Sequence, residues 1–316
     1  MTAAYLLRRL LAILVVLLVV SFTVFAVTQL LPGNTAVMIL GEFATAEQRH
    51  AVELMLGLND PWYMQYLRWL GGILSGNWGV SPALSQPVAF LIGQAFSRSM
   101  VLAGATLGTV CLIAIPLGVL AAVRRGTLFD LTISLLAYAG TALPEFVTAT
   151  LLLVFFAGPD HGFLPAGGYV PFAEGAGGFF EHMVLPVVTL SLVLMAHIAR
   201  QVRSEMSDVL GADYIRAAHL KGLAERQVVL RHALRNAMAP AVAVISLDVG
   251  YLLGGILVVE EVFAWPGLGR LLIFAVQNRD LPLIQAATLV IAAAYAVSNL
   301  VSDIVIALLD PRVRYA

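Results

Sequence analysis

Long apolar runs alternate with short charged stretches along this chain, which is the pattern of a protein that crosses a membrane several times. A bilayer-spanning helix needs roughly 20 mostly apolar residues. Six segments have this character, at residues 10–31, 99–123, 131–157, 183–199, 237–259 and 281–309. The third is interrupted by Pro144 and Glu145, where we expect a kink. The pattern predicts an all-α polytopic membrane protein with six transmembrane helices.

The first apolar run has an alternative interpretation as a cleaved signal peptide. It extends over residues 10–31, which exceeds the usual apolar core of roughly 7–15 residues in a signal peptide. No A-x-A-like cleavage site follows it. We therefore expect a retained helix, so that residues 1–32 comprise an N-terminal segment and the first span.

The segment from residue 33 to residue 98 is mixed in character and contains a cluster of aromatic residues. Helical spacing before a Gly-Leu-Asn-Asp-Pro break is followed by Trp62, Tyr63, Tyr66, Trp69 and Trp78. Aromatic side chains of this kind concentrate at membrane–water interfaces. The segment is predicted to be an extracytoplasmic helical loop against the bilayer, and residues 99–316 form the core domain.

The distribution of basic residues predicts which side of the membrane each loop occupies. With six spans, one face collects Arg8, Arg9, Arg124, Arg125, Arg200, Arg203, Arg216, Lys221, Arg226, Arg231, Arg235, Arg312 and Arg314, and the other collects Arg49, Arg68, Arg98, Arg270 and Arg279. Cytoplasmic loops carry the excess of Lys and Arg. Both termini and the loop at 200–236 are therefore predicted to be cytoplasmic.

Composition excludes an ordinary soluble domain and gives no sign of catalytic machinery. Only 12% of residues are charged and the mean hydropathy is +0.91, whereas soluble domains have about 25% charged residues. Cys111 is the single cysteine, and the six histidines lack metal-ligand spacing, so we expect no metal site. HExxH and GxSxG are absent, and Lys221, the single lysine, precedes glycine rather than the Ser or Thr of a P-loop. If ATP drives this protein, another subunit binds it.

The basic stretch at 200–236 contains a short predicted helix. Gly211 would end the preceding helix, Asp213 would cap a new one over residues 214–221, and Gly222 would follow its last turn. A helix of two turns is only marginally stable alone and needs packing against other elements. Small Ala217 and Ala218 would allow close approach to a partner's groove, with Tyr214 and Leu220 as anchors. The alternative is an amphipathic helix lying on the lipid surface.

Two acidic residues within predicted spans are candidate functional groups. Ionisable residues are costly inside a membrane and often mark a transport path. Glu145 follows the expected kink, and Asp248 lies in the middle of the fifth span. They could line a translocation pathway, or they could pair with polar groups of a neighbouring helix or subunit. His197 and Asp303 are weaker candidates near span ends.

The sequence from Asp213 to Pro240, DYIRAAHLKGLAERQVVLRHALRNAMAP, resembles the cytoplasmic coupling loop of ABC importer permeases. It is most similar to the branch that imports dipeptides, oligopeptides, nickel complexes and related solutes. Further segments agree, namely LLPGNTA at 30–36, GLNDPWYMQYLRWL at 57–70, FLPAGGY at 163–169, LLGGILVVEEVFAWPGLGRLL at 252–272 and LLDPRVR at 308–314. Arg216 departs from the general pattern, which has glutamate there, and Arg235 stands where it has proline.

The resemblance implies the permease subunit of a type I importer in a bacterial or archaeal cytoplasmic (inner) membrane. A second homologous permease, two ABC ATPases that hold ATP and Mg, and an extracytoplasmic solute-binding protein would complete it. The residues implied to couple to an ATPase are Asp213, Tyr214, Arg216, Ala217, Ala218, Leu220, Lys221, Gly222 and Leu223. Those implied to lie at the outer mouth are Glu260, Glu261, Pro266 and Gly267.

Two other function classes remain at this point. A self-sufficient secondary transporter or channel predicts inverted repeats, and no convincing repeat occurs across the six segments. A membrane enzyme requires a catalytic constellation, which the sequence does not contain. The substrate stays open among dipeptides, oligopeptides, nickel chelates, glutathione and sugars.

Overall fold

The computed structural model describes residues 3–30, 60–158 and 162–309, together with the isolated positions 45, 47, 48 and 50. Its helices are α1 (Ala3–Leu30), α2 (Trp62–Leu74), α3 (Val88–Val123), α4 (Leu128–Ala142), α5 (Glu145–Phe156), α6 (Ala176–Leu210), α7 (Asp213–Leu220), α8 (Glu225–Gln227), α9 (Leu234–Val262), α10 (Leu268–Gln277) and α11 (Leu281–Leu309). A π-helical turn, Val228–Ala233, precedes α9, and strands β1 (Val80–Ser81) and β2 (Gln86–Pro87) form a short antiparallel hairpin.

Five helices in the described part of the chain are long and apolar enough to cross a membrane. By length and composition these are Leu7–Leu30, Val88–Val123, Ala176–Leu210, Glu225–Val262 and Leu281–Leu308. They coincide with five of the six predicted segments, and the helices there are confirmed. Several of these helices are longer than the apolar runs in the sequence. A helix continues past the bilayer wherever backbone hydrogen bonds and packing still support it.

The remaining predicted segment forms two shorter apolar helices, α4 and α5. Leu143 ends α4 in an extended conformation, with φ −96° and ψ 130°, and Pro144 precedes the first residue of α5. Proline lacks the N–H needed to continue the hydrogen-bond ladder and pushes the preceding residue out of the helical region. The expected interruption at Pro144 is confirmed, and it is a complete break between two helices.

Contacts divide the chain into two compact units. One comprises Met1–Tyr5, Ser99–Pro266 and Val297–Ala316, and the other comprises Leu6–Arg98 with Gly267–Ala296. In the first, a continuous core includes Leu190, Ile198, Val202, Leu252 and Val259.

Glycine permits a close approach between α3 and α6 within the first unit. A Cβ atom at Gly118 would lie 2.6 Å from the Ala199 carbonyl oxygen and 2.8 Å from Cβ of Val202. Any larger residue would force these two helices apart. The C-terminal half of α3 therefore packs directly on the C-terminal half of α6, the half that is predicted to lie towards the cytoplasm.

The second unit is held together by polar contacts as well as apolar packing. Asp280, 1% exposed, caps α11 by accepting from the Leu283 N–H at 3.2 Å, and it also accepts from the Ser81 hydroxyl of the hairpin. Buried Gln285 donates to the Thr28 hydroxyl at 2.7 Å, which joins α11 to α1. These bonds satisfy polar groups that would otherwise be costly to bury.

The predicted extracytoplasmic loop is helical in part. Tyr66 and Trp69 of the predicted aromatic cluster lie on α2 and pack against Phe25 of α1, with ring centroids 5.4 and 5.8 Å away. Residues 88–98, however, belong to α3 and not to a separate loop segment, since the α3 helix begins at Val88. Apolar periodicity could not reveal this, because polar side chains interrupt the apolar run without interrupting the helix.

Some sequence-based expectations lie outside the described residues. These are the helical spacing around residues 52–56, the LLPGNTA segment after residue 30, and the terminal residues 310–316 with Arg312 and Arg314.

Candidate functional site

The short helix α7 is separated from α6 by Gly211 and Ala212. The expected stop at Gly211 is confirmed, since α6 ends at Leu210. Asp213 is the first helical residue and not the N-cap; Ala212 occupies the N-cap with φ −72° and ψ 149° and has no side-chain acceptor. The predicted cap at Asp213 is therefore wrong. Its charge still lies in the first turn, where it complements the helix dipole.

The C-terminal end of α7 is closed by backbone hydrogen bonds around Gly222. The Leu223 N–H donates to the Ala218 carbonyl at 3.4 Å, and the Gly222 N–H donates to the His219 carbonyl at 2.9 Å. This pair of bonds with Gly222 at φ +79° is a Schellman motif. Lys221 is the C-cap, one position beyond the helix rather than in its last turn.

One face of α7 is anchored in the core of the first unit. Ile215 is 1% exposed and Ala218 is 8% exposed, and both belong to the core cluster that contains Val202 and Met206 of α6. The expectation that both alanines face a partner is therefore wrong for Ala218, which packs inward. Small and large residues alternate within the two turns of α7, so the sequence alone did not reveal which face of the helix is buried in the protein.

The opposite face of α7 is exposed and carries apolar side chains on a polar segment. We define the α7 surface as Asp213, Tyr214, Arg216, Ala217, Leu220 and Lys221, all of which are exposed. Leu220 is 89% exposed and Tyr214 is 47% exposed. The Tyr214 hydroxyl accepts from Asn236 Nδ2 at 3.0 Å, which orients its ring. Exposed apolar groups with a fixed orientation are typical of a protein-binding surface.

The π-helical turn Val228–Ala233 follows this surface and joins α8 to α9. Val228 and Ala233 are fully buried in the same core as Ile215. π-helical turns are rare and occur frequently at functional sites. The apolar pattern of the sequence did not distinguish this turn from an ordinary α-helix.

Asp248 of α9 is paired with His197 of α6. The Nδ1 atom of His197 lies 3.0 Å from both carboxylate oxygens of Asp248, and Asp248 is 8% exposed. The sequence left open whether Asp248 lines a pathway or pairs with a polar group on a neighbouring helix. The structure supplies such a polar partner in His197. His197 had been only a weaker candidate, since nothing local connects positions 197 and 248.

Glu145 begins α5 and is paired with Tyr251 of α9. Its carboxylate accepts a hydrogen bond from the Tyr251 hydroxyl. It also lies against Gly255, where a Cβ atom would be 2.9 Å from Cδ of Glu145. Asp248, Tyr251 and Gly255 follow one another at helical spacing, so α9 presents one stripe to both acidic pairs. Tyr251 was not recognised in the sequence as a partner.

The outer segment around Glu260 is arranged differently from expectation. Glu260 is fully buried and accepts from the Ser99 hydroxyl, so its side chain does not face outward. Its carbonyl also accepts from the Trp265 N–H at 2.8 Å, which closes a turn over buried Trp265. Glu261 is exposed, Pro266 is half-buried and Gly267 is buried. Of the four predicted outer residues, Glu261 alone presents an exposed side chain.

An ion pair between a buried carboxylate and a partly exposed guanidinium joins α4 to α6, and the sequence did not reveal it. Arg203 Nε and Nη2 donate to the two carboxylate oxygens of Asp130, with 2.8 Å between Nη2 and Oδ2. Asp130 is 5% exposed and also accepts from the Gly126 N–H at 3.0 Å. Arg203 had been noted only as one of the basic residues of the loop.

Two family models together match nearly the whole chain. The binding-protein-dependent transport system inner membrane component matches residues 114–315, and the N-terminal model of such membrane components matches residues 2–107.

Curated relatives cover the chain at full length. A probable peptide ABC transporter permease protein of Sinorhizobium fredii is 37% identical over 311 residues, 98% of this chain and 99% of the relative. A glutathione transport system permease protein of Salmonella paratyphi A is 39% identical over 311 residues, with the same coverage. A putative peptide transport system permease protein of Brucella melitensis is 36% identical over 315 residues, covering 100% of both chains.

Among solved structures, an amino acid ABC transporter with histidines matches 71% of this chain and 94% of its own with a TM-score of 0.47 and 18% identity. The chain therefore belongs to the inner membrane components of binding-protein-dependent transport systems, the non-enzymatic permease subunits of ABC importers.

Proposed function

We propose that this permease imports peptides or a related small solute and responds to ATP through the α7 surface. The observation that carries the proposal is the division of α7 into two faces. Ile215 and Ala218 are embedded in the permease core, while Leu220 and Tyr214 are exposed. A two-turn helix whose buried face is fixed in the permease core, and whose exposed face carries apolar anchors, suits insertion into a groove of an ATPase.

The proposed assembly places ATP and Mg on separate subunits. Two ABC ATPases would bind the cytoplasmic side, a second homologous permease would complete the translocation pathway, and an extracytoplasmic binding protein would deliver the solute. The permease would have six spans, with both termini and α7 in the cytoplasm, in a bacterial or archaeal inner membrane. The excess of Lys and Arg in the α7 region supports this orientation.

The proposed substrate class comes from the relatives, whose names specify peptide and glutathione transport. Both solutes carry free ammonium and carboxylate groups. The pathway role of Glu145 and Asp248 stays a prediction, and it has to accommodate the fact that each already has a partner on another helix.

The docking role of the α7 surface is tested by charge substitutions in the assembled importer. Leu220→Glu places a charge in the proposed groove, and we expect ATPase co-purification to fall at least tenfold, since buried anchors of an interface are each worth about 2 kcal/mol or more. Gln227→Glu adds the same side chain at an exposed position of α8, outside the α7 surface. It should leave co-purification unchanged.

A third variant separates docking from folding. Ala218→Glu places the charge in the permease core and should lower the yield of folded protein, which size-exclusion chromatography of the permease alone would report. Unchanged ATPase binding by folded Leu220→Glu would contradict the proposed docking site.

A further inference from the structure

The ion pair between Asp130 and Arg203 joins α4 to α6, the helix that precedes α7 in the chain. None of the roles described above uses this pair. Asp130 is the third residue of α4, and Arg203 lies seven residues before the end of α6. Both carboxylate oxygens are engaged by the guanidinium, in a two-pronged arrangement that fixes orientation as well as distance. The pair therefore sets how α4 lies against α6.

On the α4 side, Asp130 also fixes the turn that connects α3 to α4. Its Oδ2 atom accepts from the Gly126 N–H at 3.0 Å, and Gly126 has φ +79°. Thr127 caps α4 and donates its hydroxyl hydrogen to the Arg124 carbonyl at 2.7 Å. One carboxylate thus holds the turn, the start of α4 and the side of α6.

On the α6 side, Arg203 is flanked by residues that are buried in the same apolar cluster as α7. Val202 is 1% exposed and Met206 is fully buried, and both share a core cluster with Ile215 and Ala218 of α7. Between Arg203 and the end of α6 there are about 10 Å of helix at 1.5 Å per residue. A displacement of α7 therefore reaches Arg203 through two turns of packed helix.

Stability alone is a weak reason for such a pair. Desolvation of two charges offsets much of their attraction, and apolar residues of similar size often replace a buried pair at little cost. What an Arg–carboxylate fork supplies in addition is a defined geometry between two elements that would otherwise slide on apolar side chains.

We propose that Asp130 and Arg203 form a clamp that makes the α3–α4 turn, the end of α6 and α7 move as one body. An ATPase that displaces α7 then displaces α4 as well, instead of tilting the last turns of α6. Asp130 and Arg203 are positioning residues in this scheme, because they act through α6 and α4. The proposal rests on the proposed docking of α7 to an ATPase.

The clamp is tested by measuring the distance between α4 and the α7 region during the ATPase cycle. The full importer complex would carry Cys111→Ser, with spin labels at Leu135→Cys on α4 and Arg226→Cys on α8, both exposed positions. Distances are compared with and without trapping by ATP and vanadate, so that no transported solute is needed. The variants are Asp130→Asn, which removes the charge, and Arg203→Lys, which keeps the charge but loses the fork. Arg200→Lys is the matched control, since Arg200 is on α6 like Arg203 and its guanidinium lies 5.6 Å from the ring centroid of Tyr138 on α4.

In the unmodified clamp and in Arg200→Lys, we expect the same distance in both nucleotide states. In Asp130→Asn and Arg203→Lys, trapping should change the distance by about 1–2 Å or more, the scale of helix shifts in switching proteins. Both clamp variants should co-purify with the ATPases and elute from size-exclusion chromatography like the unmodified importer, which a loss of permease folding would not allow. If Asp130→Asn fails to assemble, Arg203→Lys decides alone.

A distance change in the unmodified clamp, or none in Arg203→Lys, would overturn the proposal. Failure of the docking proposal has a different signature, namely ATPase binding that survives Leu220→Glu. With docking intact and no effect of Arg203→Lys on the distance, the clamp alone is wrong.

Discussion

At the scale of single residues, each acidic side chain of the predicted pathway already interacts with a polar side chain of another helix. Asp248 shares His197 Nδ1 between its two oxygens at 3.0 Å, and Glu145 accepts from Tyr251. Asp248 is buried, so removing His197 would leave its carboxylate unsatisfied at about 1–3 kcal/mol. The His197 and Tyr251 side chains are partly exposed and lose less when an acid is removed. Any role of these acids in transport is therefore superimposed on their contribution to the packing of α9.

Two substitutions at Asp248 separate these contributions. Asp248→Asn keeps an acceptor for His197 but removes the charge, whereas Asp248→Leu removes both. We expect Asp248→Leu to lower the free energy of unfolding by about 1 kcal/mol, the net worth of one hydrogen bond, because the His197 side chain left behind is 43% exposed. Asp248→Asn should lower it by less. If the charge serves the pathway, Asp248→Asn also lowers uptake of labelled dipeptide or glutathione by the reconstituted importer. Uptake at the unmodified rate, with stability unchanged, would remove Asp248 from the pathway.

At the scale of elements, the geometry of α7 depends on how its ends are closed. Gly211 terminates α6 in an ordinary right-handed conformation at φ −77°, while Gly222 terminates α7 at φ +79°. Among the described residues, no atom beyond the adjacent residues lies within 4 Å of a Cβ at Gly222, so a side chain there meets backbone strain and no steric clash from them. The exposed position of Leu220 consequently depends on a residue that tolerates the left-handed region.

Substitution of these two glycines compares the two ends directly. Gly222→Ala should cost about 1–2 kcal/mol locally, because alanine is disfavoured in the left-handed region. We expect ATPase affinity to fall about five- to thirtyfold as the α7 surface loses its orientation. Gly211→Ala should have little effect, and Gly222→Asn should recover most of the loss, since asparagine tolerates this conformation. Equal affinities for Gly222→Ala and Gly211→Ala, measured by titration of purified ATPase, would show that the Schellman motif is dispensable.

At the scale of the whole molecule, orientation rests on charge and on the number of spans. The proposed topology has six crossings, five of them long helices and one the broken pair α4–α5, with α7 on the side of the basic residues. On that arrangement the hairpin at 80–87 lies on the opposite side from α7. Exposed Gln86 and Leu220 then mark the two sides.

Labelling of single cysteines checks this orientation. In a Cys111→Ser background, Gln86→Cys should react with a membrane-impermeant maleimide on intact cells, or on cells with a permeabilised outer membrane. Leu220→Cys should react only in inverted membrane vesicles. A permease expressed without its partners keeps Leu220 accessible. Reaction of both cysteines from the same side would contradict the six-span topology.

The sequence by itself determined the features that arise from local chemistry. Apolar runs located five of the long helices, Pro144 located the break before α5, and Gly211 and Gly222 bounded α7. These are properties of backbone conformation and of adjacent side chains, which act within a few residues. The motif at 213–240 likewise identified the family, because it is a contiguous stretch of sequence.

The tertiary structure alone decided which residues meet and which face inward. Asp130 and Arg203 are 73 positions apart, His197 and Asp248 are 51 apart, and Ser99 and Glu260 are 161 apart. The contacts also group Gly267–Ala296 with Leu6–Arg98, across most of the chain.

Membrane helices explain why the sequence could not reveal these contacts. A helix that is apolar on every side has no polar stripe to mark its outer face, so periodicity cannot tell the core from the lipid. The burial of Ala218 and Glu260 depends on neighbours brought together only by folding, and the same neighbours leave Leu220 exposed for a partner.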